Sequence, residues 1–175
     1  MENIASTPYS ILCPQNQGSF LFTAEHASNN IPTTTQASET FLLNTHWAYD
    51  IGIFELIQLL CTQLSCQGAH TNYSRLWIDC NRAPNQNGLI KNSIDGIPLS
   101  FNQNLTQKQC LSRLSDVHEA YHCAISSAIK KHSTPPILVS LHSFTPIWND
   151  HIRTMDIGVL FDRDTALAHS CASLL

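Results

Sequence analysis

Asn72-Tyr-Ser-Arg-Leu-Trp-Ile-Asp-Cys-Asn-Arg-Ala-Pro84 sets two arginines, an aspartate and an asparagine around the short apolar run Leu76-Trp77-Ile78. A run of that length predicts one buried strand. Its polar tip, Asp79, Asn81 and Arg82, would then lie outside the carboxyl end of a strand, where open α/β sheets bind ligands. Arginine grips a carboxylate through two parallel N–H bonds, so the stretch reads as an anion clamp. The plainer reading is a loop fixed by Asp79 pairing with Arg82 or Arg75, and the stretch alone leaves both open.

Outward from the clamp, strands alternate with helices. Ser19–Ala24 is an apolar strand that runs into Glu25 and His26, and Ile137–Leu141 is a second, strongly buried one that runs into His142 and Ser143. Asp156–Phe161 is a third, and Ala69–Tyr73 a shorter one. Between them, apolar residues from Ile51 to Leu64 recur at helical spacing, and Asp50 ahead of them fits an N-cap better than a site residue. A second, longer helix runs from Thr106 through Leu111, Leu114, Val117, His118, Tyr121 and Ile125, and stops before Pro135-Pro136. A third begins at Thr165. The lead Met1–Gln17 is expected to be irregular or an edge, and Thr33–Thr45 a loop holding at most a turn of helix. Asn85–Leu105, rich in turn residues, is a long loop of the kind that covers substrates. Together these elements predict an α/β fold on a mostly parallel sheet.

Composition narrows the function. The 175 residues suit one domain, 1–175, with 43% hydrophobic and 13% charged side chains. A net charge of -4 and scattered lysines and arginines argue against a nucleic-acid partner. No apolar run approaches membrane length, and the N-terminus lacks a signal-peptide pattern, so a cytoplasmic protein is expected. Seven cysteines without a Cys-x-x-Cys fit reduced thiols, with Cys61 and Cys123 among apolar neighbours.

His118-Glu-Ala-Tyr-His122 matches the His-Glu-x-x-His pattern of zinc proteases. Ile125 and Ala128 stand where the extended motif needs glycine and histidine, and no glutamate follows Glu119 to complete a ligand set. The stronger constellation is the pair of strand-end histidines, His26 and His142, with Glu25 and Asp50 and the Asn81-Arg82 clamp. It points to metal-assisted hydrolysis of a carboxylate-bearing substrate.

Glu25–Pro32, His46–Gly52, Ser74–Arg82, Ser140–Pro146 and Gly158–Asp164, in that order, resemble the N-formylglutamate amidohydrolase family, itself related to zinc carboxypeptidases. The resemblance implies a three-layer α/β sandwich on a mostly parallel or mixed central sheet, like that of the zinc carboxypeptidases and phosphorylase/hydrolase-like folds. It implies zinc held by His26, Asp50 and His142, with Arg75, Asn81, Arg82 and Ser143 binding substrate. Carboxypeptidases take a ligand from a Glu three residues after the first His, where this chain has Asn29; Asp50 is favoured in its place, with Glu25 the alternative. Relatives carry a catalytic Glu in a C-terminal strand, so the resemblance also implies a domain lacking its C-terminal part, with Glu25 as the catalytic stand-in. The reaction implied is cleavage of an N-acyl, formylglutamate-like amino acid by water activated on zinc. The alternative is a non-catalytic metal- and carboxylate-binding module, and a His-Glu-x-x-His protease is the third choice. A sheet edge opened by truncation would favour a homo-oligomer.

Overall fold

The computed structural model describes residues 7–148 and 150–174. The chain forms two compact units, Met1–Ser143 and Phe144–Leu175. The first is built on a four-stranded sheet in the order β1–β3–β2–β6. β2 (Phe20–Ala24) lies at its centre, parallel to both β3 (Gln67–Thr71) and β6 (Ile137–Ser140). β1 (Tyr9–Leu12) runs antiparallel to β3 and forms one edge, so the sheet is mixed.

Alternation along β2 divides the core between two faces. Leu21 joins one apolar cluster with Ala69, Tyr121 and Ile125, while Phe22 and Ala24 join the other with Ile53, Ile57 and Cys61. Helix α2 (Ile53–Gln63) covers the second face, after a short α1 (Ala37–Leu43). The first is covered by a continuous helical run made of α3 (Gln107–Arg113), a π-helical turn (Leu114–Glu119) and α4 (Ala120–Lys131). Three layers result, as expected. Gly68 sets the spacing between β3 and α2, because a Cβ there would sit 2.5 Å from Cys61 Sγ and 3.2 Å from Ile57.

Several sequence expectations are corrected. Leu76-Trp77-Ile78 is buried but is not a strand; it lies in a chain of turns. The Ser74 hydroxyl accepts the Leu76 N–H at 3.1 Å and donates to the Ala48 carbonyl at 2.8 Å, and Trp77 N–H closes on the Ser74 carbonyl at 2.9 Å. With its polar backbone satisfied locally, the segment is buried without a ladder. Asp50 does not cap α2. Gly52, with φ of 82°, occupies that position, and the Asp50 side chain turns to other partners. Leu111 on α3 is exposed, because the π turn rotates the inward face. β6 is an edge strand with Leu138 53% exposed, not a strongly buried strand. The 85–105 segment holds a small hairpin, β4 (Ser93–Ile94) with β5 (Ile97–Pro98), and a 3-10 turn over Ser100–Asn102.

In the second unit β7 (Ile147–Trp148) pairs with β8 (His151–Ile152), and α5 (Thr165–Ala172) is capped by Asp164, whose carboxylate accepts the Leu167 N–H at 3.2 Å. Asp156–Phe161 is not a strand. Its residues have strand-like composition, yet no strand among the described residues pairs with it, and an unpaired backbone gains nothing from extension. All seven cysteines are free. Cys61 is buried and its thiol is pushed up to about 11 by burial, whereas Cys123 faces outward from α4. No helix of the described chain is long and apolar enough to cross a membrane.

His70 on β3 makes the fold sensitive to pH. Its ring packs edge-on against Phe54, with centroids 5.1 Å apart, and burial pulls its pKa below the usual 6.5 despite a hydrogen bond to the Thr71 carbonyl. A histidine held neutral in the folded state binds fewer protons than the unfolded chain, so its contribution is full above pH 6.5 and is lost as pH falls below that value. Denaturant melts from pH 7.5 down to 5 should show declining stability, and His70→Gln should flatten part of the decline. An unchanged slope in the variant would assign the effect to other groups.

Candidate metal and substrate site

Three chain segments meet at the carboxyl ends of β2 and β6. β2 delivers Glu25 and His26, and the Thr71 hydroxyl holds the Glu25 carbonyl at 2.7 Å. The His26 carbonyl accepts the Asp50 N–H at 2.8 Å, which seats the loop before α2 beside it. Leu141 N–H extends the parallel pairing onto the Thr23 carbonyl at 2.8 Å, so His142 leaves β6 alongside Glu25.

His26, Asp50 and His142 each offer a ligand atom, all within 4.8 Å of one another. His26 Nε2 is anchored on Asp79 Oδ1 at 2.7 Å, which leaves the lone pair on Nδ1. Nδ1 is buried, has no hydrogen-bond partner, and lies 3.6 Å from Asp50 Oδ2. A carboxylate fixing the far nitrogen of a histidine is the usual outer-shell support of a metal ligand. His142 Nδ1 approaches Asp50 Oδ2 at 2.8 Å, and burial, with His26 adding to it, lowers its pKa and favours the neutral ring that metals bind. Two imidazoles and a carboxylate are a donor set suited to zinc. The residues fit the ion that the sequence implies.

Asp50 is also held from behind. Arg75 Nη2 bonds its Oδ1, and the Ser143 backbone N–H donates to Oδ2 at 3.2 Å. Arg75 and Ser143, both expected to bind substrate, therefore contact Asp50. Arg82 pairs with Asp79 through Nε at 3.3 Å and donates from Nη1 to the Asn87 carbonyl at 3.2 Å, leaving Nη2 without a partner among the described residues. Asn81 is exposed, its backbone N–H on Asp79 Oδ1 at 3.0 Å. Asp79 thus joins clamp and histidine. Burial would raise its pKa, but the hydrogen bond from His26, with the Asn81 N–H and Arg75 helping, outweighs it, and the pKa lies below the usual value.

Glu25 is buried, and both its oxygens are engaged. Tyr121 O–H donates to Oε1 at 3.0 Å, Ser140 O–H donates to Oε2 at 2.8 Å, and His142 Nε2 lies 3.6 Å from Oε2. The Tyr121 hydroxyl is a fixed donor, since burial, with Glu25 adding to it, pushes its pKa well up. Glu25, Asn81, Arg82, His118 and His122 border a cavity of about 360 Å³. Cys80 also lines it, but burial pushes its thiol far up, with Asp79 and Glu25 adding, so it is no thiolate nucleophile.

Sequence reasoning missed Tyr121, Ser140 and Lys91. Ser140 and His142 stand two apart at the end of a strand, the spacing that places side chains on one face, and this was the available signal. Lys91 is half-buried; its Cε and the Arg82 guanidinium converge on Gly88, whose φ is 86° and where a Cβ would lie 3.4 Å from Arg82 Cζ and 3.5 Å from Lys91 Cε. His118 and His122 form no group of three possible metal ligands among the described residues; His118 Nε2 bonds the Arg82 carbonyl at 2.8 Å and His122 Nε2 the Cys80 carbonyl at 2.9 Å.

Comparison with known proteins bears on the fold and the family. A gene product of Agrobacterium tumefaciens has a solved structure that superposes with a TM-score of 0.87 at 26% identity, over 96% of this chain and 69% of that one. The crystal structure of N-formylglutamate amidohydrolase from Ralstonia eutropha superposes at 0.59 with 16% identity, over 79% of this chain and 58% of that one, a likeness of fold. No curated protein matches. The sequence profile described as N-formylglutamate amidohydrolase matches residues 18–175, and the chain belongs to that family.

Proposed function

We propose that the chain is a metal-dependent amidohydrolase that removes the acyl group from an N-acyl amino acid of the N-formylglutamate kind. Family membership supports an amidohydrolase. The observation that carries the metal dependence is the buried, unpartnered His26 Nδ1 within reach of Asp50 and His142.

His26, Asp50 and His142 would hold zinc, which when bound supplies Lewis-acid polarisation of the amide carbonyl and lowers the pKa of a water toward 7. Arg82 and Asn81 bind the substrate carboxylate, Arg82 through its unengaged Nη2. Glu25 accepts the proton of the attacking water on a carboxylate oxygen and delivers it to the amide nitrogen as the carbon–nitrogen bond breaks. The products are the free amino acid and the acid of the acyl group. Tyr121 and Ser140 orient the Glu25 carboxylate for both transfers.

Elemental analysis of wild type and His142→Ala, paired with a hydrolysis assay on N-formylglutamate, tests the reading. The expected result is near one zinc per chain in wild type, most of it lost in the variant, and turnover that follows the metal. Zinc without turnover would favour a metal- and carboxylate-binding module, and wild type without zinc would remove the metal site.

A further inference from the structure

His118 and His122 are not among the described residues that form a group of three or more possible metal ligands, yet three side chains of the His118-Glu-Ala-Tyr-His122 motif reach three separate parts of the site. His118 holds the Arg82 carbonyl, Tyr121 the Glu25 carboxylate, and His122 the Cys80 carbonyl, at 2.8, 3.0 and 2.9 Å. They share one helix face. The two imidazole centroids lie 4.5 Å apart, and Tyr121 meets His122 edge-on at 5.4 Å.

Local backbone explains how they do so. The π turn over Leu114–Glu119 lets residues five apart face the same way, and Arg113 and His118 are both buried. Arg113 fastens the run to the carbonyls of Trp77 and Phe101, at 3.0 and 2.6 Å, which fixes the helix against the segment leading into the clamp. One turn later α-helical spacing resumes, and Tyr121 and His122 project onto the same side as His118. The helix thus touches both the group that binds carboxylate and the group that moves the proton, and His118 and His122 border the cavity between them.

We propose that this motif is a positioning platform: His118 and His122 set the backbone of the Cys80–Arg82 clamp, and Tyr121 sets the Glu25 carboxylate. The proposal rests on the hydrolase reading for its kinetic consequence, but the geometry makes a second, independent demand on ligand binding. The two halves act on different quantities. Losing a clamp anchor weakens carboxylate binding in ground and transition states alike, whereas losing the Tyr121 hydroxyl misplaces the base only when the proton moves.

The test uses the full chain, zinc-loaded, with His118→Leu, His122→Leu, His118→Gln and Tyr121→Phe. On N-formylglutamate, the two leucine variants should raise KM about 10-fold with kcat within about twofold, the size of one or two lost hydrogen bonds. Tyr121→Phe should lower kcat about 10-fold with KM near wild type. His118→Gln, which keeps an N–H donor, should restore most of the His118→Leu loss. Calorimetric titration with glutarate, a non-hydrolysable dicarboxylate, should show about 10-fold weaker binding for His118→Leu and none of that loss for Tyr121→Phe. If wild type turns over no N-formylglutamate, the hydrolase reading falls, and the glutarate titration still decides the platform. Equal loss of glutarate binding in His118→Leu and Tyr121→Phe, no loss in either, or no rescue by His118→Gln would overturn the proposal, leaving the motif as packing alone.

Discussion

Glu25→Gln should lower kcat for N-formylglutamate by about 10²–10⁴-fold, the range for loss of a general acid–base. KM and zinc content should stay near wild type. Glutamine keeps the shape of the side chain and its place in the core but has no carboxylate to take a proton from water. The substitution is not silent structurally, since Tyr121 and Ser140 each donate to a Glu25 oxygen and the amide offers only one acceptor. The hydroxyl facing the new amide NH2 turns to accept from it, and Tyr121 keeps the Ala69 carbonyl at 3.3 Å as an acceptor, so the cost in stability is about 1 kcal/mol or less. Measuring zinc alongside kcat separates the candidates for the third ligand. Zinc retained with kcat collapsed makes Glu25 the base and Asp50 the ligand; zinc lost along with activity would make Glu25 a ligand. A fall in kcat of less than tenfold would place the base elsewhere in the chain.

The two roles of Asp50 illustrate what the sequence conceals. An aspartate just ahead of an apolar periodic run is the mark of an N-cap, and the same residue type serves a metal site. The structure rules out the cap, because Gly52 takes that position with its left-handed backbone and the Asp50 side chain instead meets Arg75, His142 and the Ser143 N–H. His26 and His142 were legible for a reason that survives folding. An apolar run that stops at a histidine marks the end of a strand, and β2 and β6 are neighbours, so their ends coincide.

The clamp stretch was legible in its burial but not in its backbone. Leu76, Trp77 and Ile78 are buried as a strand would be, and burial is all that an apolar run reports. What decides against a strand is Ser74, whose hydroxyl satisfies the turn, and serine has too many other uses to signal this alone. Asp156–Phe161 fails for the converse reason: its composition favours extension, but a strand exists only where a neighbour offers its backbone. The π turn leaves one trace, the five-residue interval between buried Arg113 and His118, which helical-periodicity reasoning treats as a mismatch.

Arg113→Ala should be the most destabilising single change away from the site, about 3 kcal/mol or more, because it orphans several buried acceptors at once. The guanidinium donates to the Trp77 carbonyl at 3.0 Å, to Asn102 Oδ1 at 2.5 Å and to the Phe101 carbonyl at 2.6 Å, and it stacks 3.3 Å over the Trp77 ring. Asn102, held by it, donates in turn to the carbonyls of Leu76 and Lys91, at 2.8 and 2.6 Å. Four backbone carbonyls of the clamp approach and of the 85–105 segment thus depend on one side chain and its amide partner. This knot also explains why that long segment, expected to be a substrate cover, is fixed at both ends of its hairpin. Lysine keeps the charge but not the planar fork, so Arg113→Lys should recover only part of the loss. In a thermal melt, about 3 kcal/mol corresponds to roughly 6–12 °C for a chain of this size. A loss below about 1 kcal/mol, within the ordinary range for surface substitutions and single hydrogen bonds, would mean that the turns hold themselves and that Arg113 merely fills space.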